Sequence, residues 1–109
     1  MKESIYGVDL EGNITPIMVR DAILKCFTQA HCIDSGIGEK EENGKINHQY
    51  CLEIVKKAFS EAGQDFDKPT KEGILRSMDV LAEFSKKFRD QEIVQKNYSS
   101  ILQLVNKLK

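Results

Sequence analysis

Three cysteines and two histidines are the residues of this chain whose types could do chemistry. Thiolate and imidazole are natural zinc ligands, and Cys26, Cys32, His48 and Cys51 are the four that could share one ion. His48 and Cys51 stand three residues apart, so a helix carries them to one side. Cys26 and Cys32 stand six apart, about 240° around a regular helix, and converge only if that helix unwinds near Ala30. The competing expectation is that Cys26 and Cys51 sit in apolar stripes as small buried hydrophobes. His31 and His48 then lie exposed near helix ends. Zinc is the one cofactor this donor set suggests, and a thiol-dependent protein is the alternative reading that goes with it. Neither a paired CxxC nor an HxxxH spacing is present. Cysteine nucleophilic catalysis fares worse, because His31 adjoins Cys32 and adjacent residues on a helix point different ways.

Other motifs fail on inspection. Gly38 to Lys45 resembles a phosphate-binding loop, but it has five residues between its glycines, Ile46 where a magnesium-binding hydroxyl belongs, and no preceding strand. Gly36-Ile37-Gly38 lacks the rest of a dinucleotide fingerprint. Calcium loops starting at Asp9 or Asp34 miss required oxygen ligands or the required glycine. The spacings Glu72 with Arg76 and Glu92 with Lys96 suit helix-surface pairs. No motif assigns a reaction, and the reading leans away from an enzyme.

The elements that must position these residues read as helices. An apolar fraction of 40% and a charged fraction of 30% over 109 residues support one folded domain, residues 1–109, and exclude disorder by low hydrophobicity. Residues 1–14 read as a short extended segment ending in the turn Glu11-Gly12-Asn13, without a partner strong enough for a real sheet. Thr15 and Pro16 open a first helix over 16–32, whose apolar face is Val19, Ala22, Ile23, Cys26, Phe27 and Ala30. A polar loop is expected over 34–44, where three glycines and an acidic run fall. Asn47 would cap a second helix over 47–62, closed by Gly63 in the left-handed region. Phe66 should plug into the bundle. A third helix spans 70–88, capped by Thr70 or Asp67, and a fourth spans 91–108, capped by Asp90. Together they predict an all-α, antiparallel four-helix bundle in which the third and fourth helices are neighbours.

Charge and hydropathy bound the partners. A net charge of −1 gives no general attraction to nucleic acid, although the basic side chains concentrate after Lys86. The longest unbroken apolar runs, such as Ile17 to Val19, are three residues, so no membrane span is expected. Met-Lys-Glu-Ser lacks an apolar leader, and with an odd cysteine count this points to reduced thiols in the cytoplasm. Ile17, Met18, Phe84, Ile93 and Leu104 fall off the main stripes and would form an apolar interface patch. The leading expectation is therefore a cytoplasmic protein-interaction or self-association module, with a protein partner or a homo-oligomer as its target.

Overall fold

The computed structural model describes residues 4–35 and 41–108. Four helices make an antiparallel bundle, α1 (Pro16–Ser35), α2 (Glu41–Glu61), α3 (Lys71–Ser85) and α4 (Gln91–Asn106). Each packs on its neighbours in a closed ring: α1 on α2 and α4, α3 on α2 and α4, with a lighter diagonal contact between α1 and α3. No helix among the described residues is long and apolar enough to cross a membrane.

Local sequence sets most helix ends. The Thr15 hydroxyl accepts from the Met18 N–H at the start of α1, Thr70 accepts from the Gly73 N–H at α3, and Asp90 from the Ile93 N–H at α4. These caps satisfy amide donors that have no partner inside the helix. Gly63 closes α2 at φ 72°, where the Gln64 N–H reaches back to the Phe59 carbonyl at 2.8 Å.

Two boundaries differ from the sequence expectation. α1 runs on to Ser35 and α2 begins at Glu41, so most of the expected 34–44 loop is helical; its stretch 36–40, with Gly36 and Gly38, lies outside the described residues. Gly44 is inside α2, where a glycine costs only about 1 kcal/mol relative to alanine. Asn47 is therefore no cap: it lies well inside α2 at 2% exposure. Helix lengths differ too. α1 and α2 have 20 and 21 residues, roughly 30 Å, whereas α3 and α4 have 15 and 16, roughly 23 Å.

The N-terminal segment is a small hairpin rather than an unpaired strand. β1 (Ser4–Ile5) and β2 (Val8–Asp9) are antiparallel with Ile5 opposite Val8. Its two turn residues, Tyr6 and Gly7, both have positive φ, 51° and 84°, the geometry of a two-residue hairpin turn that follows the strand twist. Tyr6 tolerates this because its hydroxyl is tied to the Asn97 side chain of α4.

The link from α2 to α3 is organised by one buried side chain. Gln64 donates to the carbonyls of Asp65 (2.7 Å) and Lys68 (2.9 Å), and its carbonyl oxygen accepts from the backbone N–H (3.1 Å) and hydroxyl (3.0 Å) of Thr70. A Cβ on Gly73 would lie 1.4 Å from Gln64 Oε1, so the glycine makes room for this amide rather than for a helix crossing. Phe66 beside it stacks edge-on to Phe59 at 5.4 Å and lies under the Arg20 guanidinium at 4.5 Å.

Gly73→Ala should destabilise the chain by about 1–3 kcal/mol in urea denaturation, the usual range for overpacking. In a Gln64→Ala background the same substitution should cost far less, since the clash is gone and alanine is the better helix former. Equal losses in both backgrounds would show that Gln64 is not what Gly73 accommodates.

Candidate functional site

The cysteines and histidines do not gather around an ion. Among the described residues no three His, Cys, Asp or Glu side chains form a group that could hold a metal. Cys26 donates to the Ile23 carbonyl of its own helix at 3.4 Å. His48 is exposed on α2, whereas Asn47 and Cys51 of the same helix are buried. Cys32 and Cys51 do approach one another across the α1–α2 seam, but Asn47 stands between them. Its amide nitrogen donates to the Thr28 carbonyl (3.1 Å) and Cys32 Sγ (3.4 Å), while its oxygen accepts from Cys51 Sγ (3.8 Å) and pairs with His31 Nδ1. All the hydrogen-bonding capacity of that amide is used. A metal held between Cys32 and Cys51 would have to displace this buried, fully bonded carboxamide.

Burial also sets the chemistry of the thiols. It pushes Cys26 up from 9.0 to about 12 and Cys51 up to about 11, the latter held back in part by a hydrogen bond with the Thr28 side chain and raised to a lesser degree by Cys32. Both are held as neutral thiols, the opposite of an activated nucleophile.

The expected interface patch is largely taken into the core. Leu104 is fully buried at 0% exposure, a correction forced by its neighbours: it lies three residues from Ile101 and four from Leu108, both core residues. Met18, Phe84 and Ile93 are partly buried against the core, and Phe84 meets the rings of Phe27 and Phe88. Ile17 alone of the five is exposed, at 47%.

What the sequence reading missed is a cleft between α1, α3 and α4. Its volume is about 450 Å³, inside the ~300–1,000 Å³ range of clefts that hold small ligands. Ile23, Phe27 and Ala30 of α1 contribute to its lining, with Met78 and Leu81 of α3 and Ile101 of α4. Two cross-links bound it where α3 and α4 run antiparallel. At one end the Tyr98 hydroxyl donates to Asp79 Oδ1 at 3.4 Å; at the other the Gln91 amide donates to the Ser85 carbonyl at 3.0 Å. The two cross-links are seven residues apart along α4 and six along α3, so the slot between them is roughly 10 Å long. Ala82 of α3 and Val94 and Gln95 of α4 also line it.

The cleft also rotates the inward face of α4. The helical spacing of Val94, Tyr98 and Ile101 predicts Tyr98 on the inward face, but it stands at the mouth with 36% exposure, and Asn97 takes the interior place. Its oxygen accepts from the Tyr6 hydroxyl, and its nitrogen donates to the Cys26 carbonyl at 3.3 Å. A mid-helix asparagine next to the apolar positions Val94 and Ile101 was the available sequence signal.

Asn47→Ala should cost about 1–3 kcal/mol in urea denaturation, the penalty for stripping partners from buried polar groups. A loss under about 0.5 kcal/mol would place it with ordinary surface substitutions. The raised thiols make a second prediction. Above about pH 9 the unfolded chain ionises its cysteines while the folded chain holds them neutral, so the folded state binds more protons and stability falls as pH rises. The decline should run until pH passes the folded values of about 11 and 12, and Cys26→Ala with Cys51→Ala should flatten it. An unchanged slope in the double variant would assign it to other groups, of which Tyr6 and Tyr98, also raised by burial, are the candidates.

Compared with known proteins, the chain matches no family model, no curated sequence and no solved structure.

Proposed function

We propose that this chain is a non-catalytic interaction module that works by receiving an apolar group in the cleft between α1, α3 and α4. The observation that carries the reading is the cleft itself: an open, apolar volume of about 450 Å³ beside an otherwise well-filled core. Native interiors are close-packed, so a void of this size walled by aliphatic and aromatic side chains is normally filled by something. The group it receives is a side chain of a partner protein, a side chain of a second copy, or a free molecule; the cleft makes the same apolar contacts with each. Two features support binding over catalysis. The buried thiols are pushed towards their neutral forms, and Gln91, Asn97 and Tyr98 of the cleft wall are engaged with the protein's own groups. Three cysteines that form no disulfide support placing the module in the cytoplasm, where thiols stay reduced.

Toluene, a compact apolar probe, tests this directly. Titrated into ¹⁵N-labelled protein, it should give saturable shifts at the amides of Ala82, Val94 and Tyr98, and Ala82→Phe should abolish them while leaving the helical signal intact. Shifts confined to the exposed Ile17, Ile33 and Tyr50, or no saturation at all, would overturn the reading.

A further inference from the structure

The charges and hydrogen bonds around the mouth discriminate between kinds of occupant. The one charged side chain of the slot and three of its polar ones are engaged within the protein, while Gln95 and Ser99 line it as uncharged groups. Asn97 is bonded to Tyr6 and to the Cys26 carbonyl (3.3 Å), and Gln91 to the Ser85 carbonyl (3.0 Å). Lys86, the one cation lining the cleft, is paired with Glu83 at 2.8 Å. Tyr98 is bonded to Asp79 at 3.4 Å. Lys86 is thus neutralised by Glu83 in a solvent-exposed pair, so the mouth offers an anion little net attraction. A cation would have to leave water for walls of Ile23, Phe27, Met78 and Leu81 with no carboxylate lining them. Burying a charge in such a place without a partner costs several kcal/mol.

The cleft is also isolated. Four large apolar side chains are exposed among the described residues, Ile17, Ile33, Tyr50 and Tyr98, and Tyr98 is the one that lines it. A stable protein interface covers roughly 800 Å² on each partner, and the mouth is not embedded in an apolar surface of that kind. A mainly apolar slot without a surrounding apolar face suits a small molecule better than a protein.

We infer that the occupant of the cleft is a free, uncharged aliphatic molecule about as long as the two-turn slot between the Tyr98–Asp79 and Gln91–Ser85 cross-links. This rests on the cleft being the binding site, and deepens that reading by naming the ligand class. The raised Cys26 thiol in the same wall agrees with it, since the surroundings that hold this thiol neutral would oppose any other buried charge.

Three probes of one chain length, 1-octanol, octanoate and octylammonium, separate the possibilities when each is titrated into the full chain at neutral pH and followed at the cleft amides. Octanol should bind saturably and at least about tenfold more tightly than either charged probe. Ala82→Phe should remove octanol binding, with Ala82→Met as the milder variant should the phenylalanine disturb folding. Equal or tighter binding of octanoate or octylammonium would overturn the selection for uncharged ligands while leaving the cleft as the site. Binding of toluene but of none of the three would overturn the aliphatic class alone. Failure of toluene as well would remove the reading on which the inference rests.

Discussion

The polar interior of this bundle is carried by side-chain carboxamides, one at each junction between successive elements of the ring. Asn47 joins α2 to α1, Gln64 organises the link from α2 to α3, Gln91 closes the corner between α3 and α4, and Asn97 ties α4 to α1 and to the N-terminal hairpin. A carboxamide has two donors and two acceptor positions but no charge. It therefore fixes direction and register without the desolvation cost that a buried ion pair incurs. No buried side-chain nitrogen or oxygen among the described residues lacks a partner. Because a half-satisfied amide would be expensive to bury, each one tolerates very few arrangements of the backbone around it.

That constraint explains where the chain departs from local propensity. A stretch with Gly36, Gly38 and Gly44 reads as loop when each residue is weighed alone. Yet α1 extends to Ser35 and α2 starts at Glu41, since Asn47 must meet Thr28, His31 and Cys32 at once. Asparagine is a common cap, and sequence offers no way to tell a capping amide from one buried between helices. Gly73 is the reverse case. It looks like a defect in α3 until Gln64 is seen to occupy the volume a side chain would need.

Much of the scaffold was legible because it depends on near neighbours. Thr15, Thr70, Asp90 and Gly63 mark helix ends through contacts within a few residues. The buried face of α1, from Val19 to Ala30, follows the helical period without exception. The site was not legible, for two different physical reasons. The cysteine and histidine cluster is defined by what lies between its members, and Asn47 lies there. The cleft is defined by a missing volume between three helices, and a residue such as Ala82 in its lining carries no mark of the space beside it. Leu104 differs again, since its spacing to Ile101 and Leu108 already placed it in the core.

The same amides account for the position of the cleft. Gln91 fastens the corner of α3 and α4, and the Tyr98–Asp79 bond holds the pair together two turns away. Between these points neither helix supplies a polar tie, and the facing residues are Ala82, Val94 and Gln95. The backbones are thus held at fixed separation at both ends of a segment whose side chains do not fill it. Collapse into the gap would require breaking one of the two cross-links, and opening it further would strain the corner. A cleft held this way would need little reorganisation of the helices to receive the occupant proposed for it, so the affinity available from apolar contact would not be spent on folding.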